Sequence, residues 1–296
     1  MDSPVAVARA AVPSLVYLRS EIPARHPSAA ILGEERMGAG VAVGPDRVLT
    51  AHYLVLGATD VQLSGVDGKP RGVTRMAIDH ETGLALLSTE GPPLRPARLG
   101  EGEGSQPGRP VFLLTCDVAR ERKGATGHVS SVGPFEAFWE YMLERAIMTT
   151  AINPGLAGAP LFDASAQLIG VVSLGLAAVG RYSLAIPVEL YLRRQAELES
   201  DQPTGAPRAW TGIYPQGADG SVVLTGVVPG GPADRAGLAR GDLVLSVDGV
   251  TVSSLAELYR VLWRHGPGQV VSFRILRDGA LRVVEVTAGD RNAFYR

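Results

Sequence analysis

The chain has 296 residues, which is enough for two domains that each bury a core. Charged residues make up 20% of the chain and the formal net charge is −2, so the composition does not point to nucleic acid or to an anionic membrane. Cys116 is the single cysteine, which excludes an internal disulfide and a thiolate metal cluster, and no metal or cofactor is expected.

The first residues do not read as a signal peptide or a membrane span. Asp2, Pro4, Arg9 and Pro13 interrupt the apolar run, and a span needs about 20 apolar residues. We expect a cytoplasmic protein if the chain is complete, and a periplasmic or secreted one if a leader has been removed.

Residues 12 to 190 contain short apolar segments separated by turns that are rich in Gly and Pro. Strands are predicted at Val12–Leu18, Gly38–Val43, Arg47–Thr50, Val61–Leu63, Leu84–Ser88, Val111–Thr115, Gly127–Val132, Leu168–Ser173 and Tyr182–Ile186. Strands at this spacing indicate an all-β sandwich or barrel. The aromatic segment Phe135–Met148 has no clean period, and we expect a loop with a helical turn there.

A helix is predicted over Pro187–Leu198, with Pro187 in its first turn. The polar stretch Glu199–Arg208 that follows is the best linker candidate. We therefore predict domains at residues 1–198 and 209–292, joined by a linker at 199–208.

The second domain is predicted to be small and of the α+β class. Helices are expected at Ala233–Ala236 and Ser254–Arg264, and strands at Val222–Val228, Leu243–Val247, Val270–Leu276 and Leu281–Val286. The last two strands are predicted to form a hairpin, because Asp278-Gly279 between them is a strong turn signal.

Seven short fragments occur in a set order along the first domain. They are Gly38-Ala39-Gly40-Val41, Val48-Leu49-Thr50 leading to Gly57-Ala58, Gly83-Leu84-Ala85-Leu86-Leu87, Thr126-Gly127-His128-Val129-Ser130, Ala151-Ile152-Asn153-Pro154-Gly155, Gly158-Ala159-Pro160-Leu161 and Leu184-Ala185-Ile186-Pro187. In this order and at this spacing they resemble the HtrA/DegP family of trypsin-like serine proteases.

The second domain carries Trp210-Thr211-Gly212-Ile213, Pro232-Ala233, Ala236-Gly237-Leu238, Gly241-Asp242 and Asp248-Gly249. These fragments are similar to the PDZ domain that follows the protease in that family. The resemblance implies a mainly β protein: a trypsin-like double β-barrel followed by a small α+β PDZ domain.

Such a protease needs a serine nucleophile, a histidine base and an aspartate that orients the histidine. The resemblance places the nucleophile at Ala157 and the aspartate at Gly83, and neither side chain can perform these roles. Asp79 lies four residues before Gly83 and is expected to cap a turn.

The histidine position aligns with Tyr53, counted from Thr50 to Gly57-Ala58, and His52 falls one place early. A shift of one residue turns a side chain to another face of the backbone. A local rearrangement that brings His52 into place stays open.

Two further features could take part in chemistry or binding. Cys116 is expected to be a buried structural thiol rather than a nucleophile. The turn of Gly155, Leu156 and Ala157 either presents N–H groups to a carbonyl or carboxylate, or is kept only for packing.

The PDZ resemblance implies a peptide-binding site. Backbone amides of Trp210, Thr211, Gly212 and Ile213 would hold a C-terminal carboxylate, and Ile213 would begin the strand that receives the peptide. Candidate pocket residues on the facing helix are Leu258, Tyr259 and Leu262, for which ordinary core packing is the alternative.

The favoured hypothesis is a pseudoprotease that binds protein C-termini or extended peptides and acts as a scaffold or regulator. The family resemblance adds a homotrimer or an active protease relative as partners. The alternatives are a weakly active serine endopeptidase that uses His52 and a chaperone-like holder of unfolded chains.

Overall fold

The computed structural model of the chain describes residues 4–100, 105–176, 180–200 and 207–295. Contacts divide the chain into two compact units, the first formed by Met1–Gly133 and Glu144–Thr204, the second by Pro134–Leu143 and Gly205–Arg296. A short segment inside the first domain's sequence therefore belongs to the second unit. Residues 201–206 of the predicted linker lie outside the described residues, and the predicted domain boundaries stay predictions.

Six strands of the first unit form a closed barrel in the order β1-β2-β3-β6-β5-β4. They are β1 (Leu15–Glu21), β2 (Glu35–Gly44), β3 (Arg47–Ala51), β4 (Asp60–Ser64), β5 (Pro70–Asp79) and β6 (Leu84–Thr89). Every side chain of β6 is buried, as expected for an apolar run that pairs with a strand on each side. The barrel interior is filled by apolar side chains that include Val16, Leu18, Val48, Leu63, Ala85 and Leu87.

Seven further strands form a second sheet in the order β11-β8-β9-β10-β13-β12-β7, in which β11 also pairs with β12. They are β7 (Arg98–Leu99), β8 (Pro110–Cys116), β9 (Arg122–Ala137), β10 (Tyr141–Thr149), β11 (Ala159–Asp163), β12 (Gln167–Gly175) and β13 (Ser183–Pro187). The additional β11–β12 pairing closes this sheet on itself, and the predicted mainly β fold is confirmed.

The prediction of a loop with a helical turn at Phe135–Met148 is wrong. Strand β9 continues to Ala137, β10 begins at Tyr141, and residues 138–140 form the turn between them. The side chains of Phe135, Ala137 and Tyr141 are all at least half-buried, so the segment lacks the polar alternation of an exposed strand.

Helices of the first unit are α1 (Pro4–Ala11), α2 (Ala29–Leu32) and α3 (Val188–Glu199), with 3₁₀ turns at Val12–Ser14 and His52–Leu54. Helix α3 confirms the predicted helix, and Pro187 is its N-cap. None of the helices in the described part of the chain has the length and apolar character of a membrane-spanning helix.

The second unit contains a sheet in the order β14-β15-β16-β18-β19, with β17 paired to β16. Its elements are β14 (Ile213–Ala218), β15 (Ser221–Val227), α4 (Pro232–Ala236), β16 (Leu243–Val247), β17 (Val250–Thr251), α5 (Leu255–Leu262), β18 (Val270–Arg277), β19 (Ala280–Thr287) and α6 (Arg291–Phe294). Helix α5 begins at the Ser254 cap, whose hydroxyl accepts the Glu257 N–H at 3.2 Å. The predicted α+β fold of this part of the chain is confirmed.

Candidate functional site

The structure brings the three positions that the sequence analysis assigned to the triad, Tyr53, Gly83 and Ala157, to neighbouring places in the first unit. Strand β3 ends at Ala51, which pairs with Leu84, so the turn that begins at His52 lies beside Gly83. The His52 N–H donates to the Gly83 carbonyl at 2.9 Å. Turn residue Gly158 lies against Thr50 and Leu54. Strand pairing therefore places Gly83 beside His52, and packing brings the turn before β11 to the same place, although that turn lies more than 100 residues after Thr50 in the sequence.

His52 is held by a backbone group where a protease would use a carboxylate. Its ring Nδ1 lies 3.0 Å from the same Gly83 carbonyl oxygen. Because a carbonyl oxygen only accepts hydrogen bonds, Nδ1 carries the proton in this contact. A neutral carbonyl can set the tautomer, but it supplies no negative charge to stabilise an imidazolium.

Gly83 has a φ of +78°, in the left-handed region that favours glycine. This conformation points the Gly83 carbonyl at His52. Asp79 is engaged within its own turn, where its oxygens accept the N–H groups of Glu81 and Thr82 and the Thr82 hydroxyl. Its expected role as a turn cap is confirmed.

Tyr53, which the sequence analysis aligned with the histidine position, has a fixed phenol. Its hydroxyl donates to the Ser173 carbonyl on β12 at 2.6 Å. Burial raises the pKa of Tyr53 to about 12. The phenol is therefore neutral near pH 7 and ties the turn to β12, and it is a poor general base.

The turn before β11 is committed to bonds within the protein. The Gly155 N–H donates to Asn153 Oδ1 at 3.1 Å, and the Leu156 N–H donates to the Cys116 carbonyl at 3.0 Å. The Ala157 carbonyl accepts the Ala39 N–H at 2.7 Å. An incoming oxyanion would have to compete for the amides of Gly155 and Leu156, and the anion-binding role of this turn stays a prediction.

Cys116 is buried at the end of β8, as predicted. Burial, followed by the charge of Asp117, raises the pKa of the thiol to about 11. Only a very small fraction is thiolate near neutral pH, so Cys116 is a poor replacement nucleophile.

The predicted carboxylate-binding loop of the second unit holds a carboxylate of the chain itself. The N–H groups of Thr211, Gly212 and Ile213 all donate to the side chain of Glu140. Gly212 has a φ of +75°, which turns the backbone so that successive amides point the same way. Trp210 is buried, and its ring lies 4.6 Å from that of Phe294.

The predicted pocket residues of α5 lie in the core of the second unit. Leu258, Tyr259 and Leu262 are each fully buried in its apolar cluster. The Tyr259 hydroxyl donates to the Ala137 carbonyl at 2.5 Å. These three side chains therefore pack in the core, as the alternative expectation held, and their role in ligand contact stays a prediction.

Sequence reasoning missed the contact of Glu140 with the carboxylate-binding loop. It stands between Trp139 and Tyr141 in the segment for which a loop was predicted. No motif marks it, because the contact joins residues about 70 positions apart in the sequence.

Two parts of the chain match known domains. Residues 38–171 match the trypsin-like peptidase domain, and residues 210–288 match the PDZ domain. Proteins named probable periplasmic serine endoprotease DegP-like are similar to the chain: that of Halomonas elongata is 30% identical over 282 residues and that of Ectopseudomonas mendocina is 27% identical over 284 residues. The alignments cover 87% and 90% of this chain but 57% and 59% of these relatives, so the chain spans somewhat more than half of their length.

Solved structures show the same likeness over nearly the whole chain. The HtrA-type protease AlgW with a tripeptide is 25% identical, with a TM-score of 0.58 and 98% of each chain covered. The serine endoprotease from Yersinia pestis shares the fold at 22% identity, with a TM-score of 0.60 and 98% of each chain covered. The chain is therefore similar to DegP-like and HtrA-type proteases over most of its own length, with a trypsin-like peptidase domain followed by a PDZ domain.

Proposed function

We propose that this chain is a pseudoprotease that binds protein C-termini or extended peptides through its PDZ domain. The observation that carries the binding role is the convergence of the Thr211, Gly212 and Ile213 amides on one carboxylate. A peptide C-terminus offers the same group, and PDZ domains hold it with the amides of such a loop.

The proposed loss of catalysis rests mainly on Ala157. Alanine has a methyl group where the mechanism needs a hydroxyl, and Gly83 supplies a carbonyl where it needs a carboxylate. Removing one triad member costs on the order of 10⁴ to 10⁶ in turnover, and removing the others adds little. The three positions together therefore support a non-catalytic role.

The chain is expected to show no serine-hydrolase chemistry. We expect no covalent labelling by a fluorophosphonate probe and no cleavage of casein, because no hydroxyl stands at Ala157. An active HtrA-type protease treated in parallel controls for the probe. Labelling or cleavage that persists through purification and is lost in His52→Ala would contradict the proposal and favour the weakly active endopeptidase.

Peptide binding is expected to depend on a free terminal carboxylate. A library of decapeptides with free C-termini, incubated with the full chain, should contain binders whose affinity falls at least about tenfold when the terminus is amidated, since the loop then loses a charged acceptor. The measurement is fluorescence anisotropy of labelled peptides. Binders that keep their affinity after amidation would show recognition by another surface.

A further inference from the structure

Pro134–Leu143, here called the strap, lies between two sequence segments of the first unit but belongs to the second unit. It contains the end of β9, the turn at residues 138–140 and the start of β10. Its side chains and backbone contact the carboxylate-binding loop (Thr211, Gly212 and Ile213), α5 and α6, which all belong to the second unit. The central contact is made by Glu140, of which 3% is exposed.

The Glu140 carboxylate is fully engaged by the carboxylate-binding loop. Its Oε1 accepts the N–H groups of Gly212 at 2.5 Å and Ile213 at 2.9 Å, and the Thr211 hydroxyl at 3.1 Å. Its Oε2 accepts the Thr211 N–H at 3.0 Å. These are the donors that a peptide C-terminus would use, so Glu140 and a peptide cannot occupy the loop together.

The backbone of the strap is tied down next to this carboxylate. The Glu140 N–H donates to the Tyr259 hydroxyl at 3.2 Å, and that hydroxyl donates in turn to the Ala137 carbonyl. The Arg291 guanidinium donates to the carbonyls of Trp139 at 2.5 Å and Glu140 at 3.2 Å. Helices α5 and α6 therefore both hold the turn that presents Glu140.

Glu140 adopts a φ of +52°, a left-handed conformation that costs a non-glycine residue about 1 kcal/mol. Such a strained backbone conformation persists only where contacts with the surrounding structure hold it in place. Here the turn aims the carboxylate into the loop, and the bonds of the strap offset the strain.

The strap also supplies an apolar side chain, as a C-terminal peptide does. Met142 is buried in the same apolar cluster as Ile213 and Leu258. The exposed ring of Phe138 lies 6.2 Å from that of Tyr214 on β14, the edge strand of the sheet. The strap therefore presents a carboxylate and apolar side chains to the elements that would receive a peptide.

Burial raises the pKa of Glu140, while the charge of Arg291 and the hydrogen bonds from Thr211 and Ile213 lower it. A buried carboxylate without such donors would be strongly unfavourable. The hydrogen bonds from the loop therefore offset part of the cost of burying this carboxylate.

We propose that Glu140 is an internal ligand of the PDZ domain, which a C-terminal peptide must displace in order to bind. The inference rests on the proposed function and adds regulation to it. A tethered carboxylate competes at a high effective concentration, so it lowers the apparent affinity for every free peptide. Peptides that bind tightly are therefore those that also replace the apolar contacts of the strap.

The test uses the full chain and the same decapeptides with free C-termini. Glu140→Gly removes the carboxylate and readily adopts the left-handed conformation, and Glu140→Gln keeps the side-chain volume without the charge. We expect both to bind peptides about 10-fold to 100-fold more tightly than the unmodified chain. Glu144→Gln, the same change at an exposed residue nearby, is the control and should leave the affinity unchanged.

Amide hydrogen exchange of Gly212 and Ile213, measured by NMR without peptide, gives a second readout. We expect faster exchange in Glu140→Gly, because the acceptor of both N–H groups is gone. Circular dichroism checks that each variant is folded.

The outcomes separate the two proposals. Equal peptide affinity in the unmodified chain and both Glu140 variants would overturn the internal ligand and leave PDZ binding intact. If no form binds any peptide but the two amides exchange faster in Glu140→Gly, PDZ recognition of C-termini is wrong and the internal ligand stands. Unchanged exchange of both amides in Glu140→Gly would overturn the internal ligand whatever the peptides do.

Discussion

Gly158→Ala is expected to lower the free energy of unfolding of the barrel by about 4 kcal/mol. A Cβ at this position would lie impossibly close to the Ala39 carbonyl oxygen and 2.5 Å from Thr50 Oγ1. Neither atom can move easily, because the Thr50 hydroxyl donates to that same carbonyl at 2.7 Å between two buried strands. The φ of +82° adds backbone strain for any residue with a side chain.

Gly108→Ala is the control, because it introduces the backbone strain of a left-handed residue without the steric clash expected at position 158. Gly108 has the same φ of +82°, lies in the same unit and has no atom within 4 Å of an added Cβ. We expect this variant to cost only about 1 kcal/mol, the penalty of the left-handed backbone alone. Urea unfolding with circular dichroism, together with hydrogen exchange of β2 and β3, measures both. Equal losses in the two variants would mean that the neighbouring atoms move to admit the Cβ at position 158 and that the close packing of this turn adds no stability.

Much of the fold was predictable from residues that lie next to each helix or strand in the sequence. Strand β16 was predicted at its observed bounds, because its apolar run ends at the turn pair Asp248-Gly249. Helix α3 was predicted from Pro187, which can stand at a helix start but not in its interior. In each case the signal lies within a few residues of the element that it marks.

Strand β5 shows where this approach failed. Pro70–Asp79 was not predicted as a strand, because Arg71, Arg75 and exposed positions between them hide the apolar pattern. The strand is nevertheless held by β4 on one side and β6 on the other. Its pairing partners supply the stability that its own composition does not indicate.

The same distinction applies to the candidate sites. Gly83 and Ala157 were assigned to catalytic positions from motifs in the residues next to them, and that assignment stays a prediction. The contact of Glu140 with Gly212 depends on how a distant segment packs, and no local pattern predicts it. The contact between His52 and the Gly83 carbonyl likewise accompanies a left-handed φ at Gly83, and that backbone angle is seen only in the three-dimensional structure.

Arg36 is a second residue whose importance is visible only in three dimensions. Its side chain comes from β2 and is nearly fully buried, with 5% of the residue exposed. It donates to the carbonyls of Tyr53 at 2.6 Å and Leu56 at 3.0 Å, and to Ser28 Oγ at 2.7 Å. These acceptors are neutral, and burial lowers the pKa of Arg36 to about 10. The guanidinium therefore fixes the segment that carries the histidine position through backbone carbonyls.

Arg36→Met is expected to lower the free energy of unfolding of the barrel by about 3 kcal/mol, since two buried carbonyls lose a charged donor while the side-chain volume is kept. Arg19→Met makes the same change on neighbouring strand β1, where Arg19 pairs with Glu35 at the exposed surface, and should leave the unfolding midpoint nearly unchanged. Urea unfolding of both variants measures the difference. If Arg36→Met is no more destabilising than Arg19→Met, the carbonyls of Tyr53 and Leu56 find other donors. A large difference would instead show that the buried charge of Arg36 holds the 3₁₀ turn of His52–Leu54 in place through these carbonyls.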